Sequence, residues 1–190
     1  LGGESGGNFK AGYDLAMVLA DEGCKNIALV GGSEGETMND ERIAGMEKAA
    51  EETGMEILAT YRGADLNTGY ADILAAYGSD LDGIGCTGGG DNGVAAIQAA
   101  GLTGQIKLVQ IDPPSGDTAD YLEAGMLTAT YAGGSTYMID CYMQLFNALS
   151  GADRLWNEED PRIVPQFQGF IVRSREEYEA AAAYTDGEVP

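Results

Sequence analysis

The sequence predicts an α/β fold: three layers (α/β/α), doubly wound, with a mostly parallel sheet in flavodoxin-like strand order. Three observations carry this. Short apolar segments that read as buried strands alternate with segments whose apolar residues recur at helical spacing. The strand starts fall about 20–30 residues apart, the length of a βα unit, which argues parallel strands with helices on both faces. The chain has 190 residues, 44% of them hydrophobic, which suits one domain with a substantial core.

Taken in order, residues 1–8 are Gly-rich and predicted irregular. Residues 9–21 carry Ala11, Leu15, Ala16, Val18, Leu19 and Ala20 on one face, a helix that Gly23 ends. NIALV at 26–30 is the first strand, and Gly31-Gly32-Ser33-Glu34-Gly35 the loop after it. Residues 41–53 form a helix with Ile43, Met46 and Ala50 inward and Gly54 as its stop. The second strand spans 55–61 and the next helix 68–77. Residues 83–86 are a third strand, small and apolar. It runs into Thr87-Gly88-Gly89-Gly90, then a helix to Ala100 that Asp91 or Asn92 can cap. QIKLVQI at 105–111 is the fourth strand, with Asp112 directly after it. A short helix at 118–124, a fifth strand at 127–131 and a long apolar helix at 135–149 follow. Beyond 150 the chain turns irregular and acidic. One last strand is expected within 164–172, and a terminal helix over 174–184 that Ser174 can cap. The organisation expected is 1–150 as the main lobe and 151–190 as a crossover and terminal segment packed on it. The four loops after the strands ending near Val30, Cys86, Ile111 and Tyr131 should share the carboxyl edge of the sheet, where open α/β sheets bind ligands.

Composition narrows function. Ten basic residues face 31 acidic ones, for a formal charge of −21, which repels nucleic-acid phosphates and anionic membranes. The absence of His removes the usual general base near neutral pH and the common catalytic triads, and no G-x-S-x-G elbow occurs. Gly31-Gly-Ser-Glu-Gly35 is neither G-x-G-x-x-G nor a P-loop, and its acidic neighbours would repel phosphates. Cys24, Cys86 and Cys141 are widely spaced, with no C-x-x-C; Cys86 and Cys141 read as small core residues rather than metal or redox groups. No enzyme activity, cofactor or metal is therefore expected. No apolar run approaches the roughly 20 residues of a transmembrane helix. The lone Trp156 reads as a packing anchor in its acidic loop. The chain opens on Leu1 and reads as a piece of something longer.

Two polar residues stand out at the predicted carboxyl edge. Asp112 sits at the end of an apolar strand, as a loop cap or a ligand contact. Arg42 is expected in a first helical turn, where the helix dipole does not favour a cation. It is either a surface ion pair or a donor fork aimed at hydroxyls or a carboxylate of a ligand.

Five features in one order carry a family resemblance: IALVGG, then R-x-x-G-M from Arg42, then DGIGCT, then LVQID ending at Asp112, then G-M-L-T-A-T. This pattern resembles the type I periplasmic binding protein superfamily, above all its sugar-binding receptors for ABC transporters; lactose-repressor-type regulators share it. The likeness covers residues 8 to about 150. It implies one lobe, the carboxyl-terminal one, of a two-lobe protein that holds a small polar solute, a sugar, in the interlobe cleft. It further implies an extracytoplasmic setting, in the periplasm or on a cell-surface lipoprotein, a membrane ABC permease as partner, and a missing amino-terminal lobe. Residue by residue, Arg42 and Asp112 match the family's ligand-binding Arg and Asp, and Thr87, Gly88, Gly89 and Asp91 would line the floor of the cleft. Departures lie at Gly88-Gly89-Gly90 in place of Asn-Asp, at Gly133 in place of Gln, and at Leu66 in place of a cleft aromatic. The bare glycines are expected to leave room for a larger ligand or to offer backbone donors. An effector domain of a transcription regulator is the alternative on the same fold, and an enzyme on a flavodoxin-like sheet a third reading. An isolated lobe would expose the face toward its partner, near Leu1 and Pro165-Gln166-Phe167, so self-association is expected.

Overall fold

The computed structural model describes residues 5–111, 117–132, 146, 149–151 and 169–185. Among these residues the elements run α1 (Ser5–Asp21), β1 (Asn26–Gly31), α2 (Thr37–Thr53), β2 (Glu56–Arg62), α3 (Leu66–Tyr77), β3 (Gly83–Cys86), α4 (Gly90–Ala99), β4 (Lys107–Ile111), α5 (Thr118–Glu123), β5 (Ala129–Ala132), β6 (Phe170–Val172) and α6 (Arg175–Thr185). The strands form one sheet in the order β2-β1-β3-β4-β5-β6. The first five are parallel and β6 is antiparallel to β5. This is the doubly wound α/β/α architecture read from the sequence.

Period-two alternation along each strand divides the core into two layers. Ile27 and Leu29 of β1 and Val109 and Ile111 of β4 meet α1 and α2, through Leu15, Leu19, Ile43 and Met46. Ala28 and Val30, Ile84 and Cys86 of β3, and Leu108 meet α3, α4, α5 and α6, through Tyr70, Leu74, Val94, Ile97, Leu122 and Tyr178. Winding changes direction once. From β1 the chain passes through α2 on one face to β2; it then crosses the other face through α3 to β3 and continues outward. The crevice between the carboxyl ends of β1 and β3 is therefore the topological switch point.

Several boundaries differ from the sequence reading. α1 begins at Ser5 rather than Phe9, so the Gly-rich start from there is helical. α2 begins at Thr37, four residues early, which puts Arg42 in the second turn rather than the first. In α4 the N-cap is Gly89, with φ 71° and no side-chain cap; Asp91 and Asn92 both lie inside the first turn, so neither caps. Ser174 does cap α6, its Oγ accepting from the Glu177 amide at 3.2 Å. The predicted helix over 135–149 lies almost wholly outside the described residues, as do Cys141, Trp156, Gly133 and Pro165-Gln166-Phe167.

The two helices of the first layer touch backbone to backbone. A Cβ on Gly12 of α1 would lie 2.0 Å from the Arg42 carbonyl oxygen, and a Cβ on Gly45 of α2 would lie 2.0 Å from the Phe9 carbonyl oxygen. This reciprocal pair fixes how deep α2 sits, and so where Arg42 points.

At the opposite, amino edge of the sheet, Asp82 ties β1 to β3. Its Oδ2 accepts from the amides of Asn26 at 2.9 Å and Lys25 at 2.8 Å. These two amide bonds hold its carboxyl below the ordinary value of 3.8. Burial raises the nearby Cys24 thiol to about 11, with the Asp82 charge adding to the effect, so it stays a protonated core group.

Two outcomes follow. Gly45→Ala should destabilise the fold by about 1–3 kcal/mol in urea unfolding, because backbone must move to admit the methyl group. Asp82 has a depressed folded-state value, so its contribution is present above the unfolded carboxylate value and lost as pH falls through the folded one. Asp82→Asn should therefore lower the melting temperature near neutral pH and flatten the acid limb of a melting-temperature profile against pH.

Candidate functional site at the switch point

Five loops leave the carboxyl edge of the parallel strands. The two flanking the switch point, residues 32–36 after β1 and 87–89 after β3, are held to each other through α2. Arg42 and Asn39 sit three residues apart on this helix and so share a face. Both reach Thr87. Arg42 Nη1 donates to the Thr87 carbonyl at 2.8 Å, and the Thr87 hydroxyl donates to Asn39 Oδ1 at 2.6 Å. The Thr87 amide donates to Val30 O at 3.0 Å, continuing the ladder between β1 and β3. Every polar group of Thr87 is thus engaged within the protein, and the residue is 3% exposed.

Arg42 is anchored on a second side. Its Nε donates to Asn8 Oδ1 of α1 at 3.1 Å, and Asn8 Nδ2 donates to Glu41 at 3.4 Å. The guanidinium spans the top of the switch point from α1 to the β3–α4 loop.

A second arginine, which sequence reasoning missed, organises the β1–α2 loop. Arg62 ends β2, and its side chain is only 12% exposed. Its Nε donates to Gly32 O at 2.8 Å, and its Nη2 donates to Ser33 O at 3.2 Å and to Asp40 Oδ1 at 2.5 Å. The other oxygen of Asp40 accepts from the Gly35 amide at 3.1 Å. The available signal was a cation closing a strand in a chain with only ten basic residues.

The glycine run after β3 is not vacant. A Cβ on Gly90 would fall 1.4 Å from Gln110 Oε1, and one on Gly89 2.5 Å from Leu66 Cδ1. The Gln110 side chain, buried at the end of β4, and Leu66, the first residue of α3, occupy the space that the sequence reading left for ligand at these two positions. The glycines are needed because neighbours lean on them. α3 and α4 are further clasped where Asn92 Nδ2 donates to Asn67 Oδ1 at 2.7 Å.

Of the residues predicted to bind ligand, Arg42, Thr87, Gly88 and Gly89 converge on the switch point. Gly88 and Gly89 are half-buried, and Asp91 is exposed in the first turn of α4. Asp112 lies outside the described residues.

Fold and site define a domain of the periplasmic binding protein type. The chain belongs to that family: the model of the periplasmic binding protein domain matches residues 4–153. No curated protein sequence matches it significantly. Among solved structures, it is similar to an ABC transporter periplasmic solute binding protein from Actinobacillus succinogenes 130z with bound D-allose. The TM-score is 0.76 at 21% identity over 91% of this chain and 60% of that one. A carbohydrate transporter solute binding protein from Agrobacterium radiobacter in complex with D-arabinose superposes with a TM-score of 0.75 at 15% identity, over 92% of this chain and 63% of that one. The fructose-binding periplasmic domain of a hybrid two-component system gives 0.77 at 16% identity, over 95% and 61%. The chain therefore spans less than two thirds of each of these structures.

Removing the Arg62 side chain should leave the Gly32 and Ser33 carbonyls without their donor and loosen residues 32–36. Arg62→Ala is expected to lose about 1–3 kcal/mol of stability, read by urea unfolding, with faster amide exchange confined to that loop.

Proposed function

We infer that this chain is the ligand-binding lobe of an extracytoplasmic solute receptor that takes up a sugar, or a similar small polar solute, for an ABC importer. One observation carries the reading most. Arg42 is fixed from two sides over the switch point of a periplasmic binding protein domain, where such sheets bind ligands. A guanidinium has five N–H donors in a planar fork, suited to paired hydroxyls. The bound D-allose and D-arabinose of the similar structures support the solute class.

In this reading residues 1–150 form the lobe and 151–190 the crossover that returns to it. A second lobe completes the cleft, and ligand draws the two together by hinge motion, presenting a closed form to a membrane permease. Arg42 and Asp112 contact ligand hydroxyls, and Thr87, Gly88, Gly89 and Asp91 line the floor. Binding is the whole of the chemistry; no bond in the solute is broken.

Calorimetric titration of the full-length protein with mono- and oligosaccharides, nucleosides and amino acids tests this. A sugar should bind, and both Arg42→Ala and Asp112→Asn should weaken it about ten-fold or more, the loss expected when a charged hydrogen-bonding partner is removed. Absence of binding by every sugar in the panel, with the protein folded, would remove the reading.

A further inference from the structure

We propose that Asn39 is a positioning residue: its carboxamide latches the two loops that flank the switch point and so sets the geometry of the ligand-binding edge. The proposal rests on the receptor reading for its functional consequence, and on hydrogen-bond geometry for the latch itself.

Asn39 is a polar side chain in the first turn of a helix, yet it is only 8% exposed. Both ends of its carboxamide are engaged. Oδ1 accepts from the Thr87 hydroxyl at 2.6 Å, toward the β3–α4 loop. Nδ2 donates to Glu36 Oε2 at 2.6 Å, toward the β1–α2 loop. A Cβ placed on Gly32 would lie 2.3 Å from Nδ2 and 3.0 Å from Cγ, so the β1–α2 loop closes directly over the carboxamide. Only a group with one acceptor and one donor on a short stem satisfies both partners at once. Aspartate keeps the acceptor for Thr87 but sets a second carboxylate against Glu36. Leucine serves neither partner, and leaves a nearly buried hydroxyl unpaired.

The consequence reaches ligand contacts that Asn39 does not touch. Thr87 is shared between Asn39, through its hydroxyl, and Arg42, through its carbonyl. Loss of the latch frees Thr87 to rotate, and with it the Gly88–Gly89 backbone and the acceptor that aims Arg42. Displacements of this kind are costly where a bound geometry must be held closely.

Three variants separate a latch from general packing. Asn39→Asp should raise amide exchange in residues 32–36 and 87–90 roughly ten-fold, leaving α5 and α6 at wild-type rates. Glu36→Gln in the Asn39→Asp background supplies a donor to the new carboxylate and should restore exchange toward wild type, a rescue that mere volume-filling does not predict. Asn39→Leu should behave as Asn39→Asp does but resist that rescue. In parallel, the full-length proteins are titrated with D-allose, D-arabinose and D-fructose. Any of these sugars that binds wild type should bind Asn39→Asp about ten-fold more weakly and the double variant near normally.

Unchanged loop exchange in both single variants would overturn the latch, as would failure of Glu36→Gln to rescue. Unchanged affinity in a protein whose loops have loosened would overturn its role in binding. If no sugar binds wild type while exchange responds as expected, the latch stands and the receptor reading of this site fails. The two failures are therefore distinct.

Discussion

The site depends on the contact between α1 and α2. Gly12 and Gly45 let these helices meet backbone to backbone, and no other residue type permits that approach. The contact sets the depth and rotation of α2 against β1 and β3. Arg42 and Asn39 lie on this helix at a spacing that puts both over the switch point. A helix displaced outward by one methyl group would carry both side chains away from Thr87. The R-x-x-G spacing thus has a mechanical sense: the Gly seats the helix, and the Arg one turn earlier reaches across the crevice.

Electrostatics at this edge follows from how few cations the chain has. Arg42 and Arg62 are both directed at backbone carbonyls near the carboxyl ends of strands, Thr87 in one case and Gly32 and Ser33 in the other. Charge-assisted bonds of this kind, partly shielded from water, are each worth about 1.5–3 kcal/mol. Elsewhere Arg173 pairs with Asp21, and Arg175 with Asp120, Glu123 and Glu179, on open surface. Such exposed pairs add little stability and are screened by salt. Among the described residues, Arg42 and Arg62 are arginines that fasten loops, and both lie beside the crevice.

Strand positions were legible because their signal is local. NIALV, GIGC and QIKLVQI are short apolar runs bounded by polar or Gly-rich loops, and the structure places strands on each of them, the last beginning two residues later, at Lys107. Helix starts were less so. Gly6 and Gly7 are poor helix formers, and Thr37-Met-Asn-Asp40 reads as a polar loop by propensity, yet both stretches are helical. For Thr37-Met-Asn-Asp40 the energy lies in contacts with distant partners: Thr87 for Asn39, Arg62 for Asp40. The roles of Asn39 and Arg62 were hidden for the same reason. The Thr87 partner of Asn39 and all three partners of Arg62 lie more than twenty residues away, and no spacing rule within one element points to them. The glycine run after β3 shows the converse error. Absent side chains suggested either room for ligand or backbone donors; at Gly89 and Gly90 the room is taken by Leu66 and Gln110, from α3 and β4. A sequence shows which side chains are missing at a position, but not which neighbours take their place.

In the proposed receptor, the arrangement argues for a lobe that is rigid before it meets its ligand. Thr87 has each of its polar groups engaged, Asp40 and Arg62 hold the β1–α2 loop, and Leu66 and Gln110 brace the glycines. Binding to such an edge does not have to order the loops first, a requirement that otherwise subtracts from affinity. In the proposed two-lobe receptor, the free energy of ligand contact is then available to shift the hinge rather than to organise the site. Loops with independent motion would weaken that coupling, since part of the ligand's preference for the closed form would be lost in fixing them. The latch through Asn39 and the clamp through Arg62 therefore serve one end from two sides: they make the β1–α2 and β3–α4 loops move with the lobe, so that what the ligand sees is a single surface.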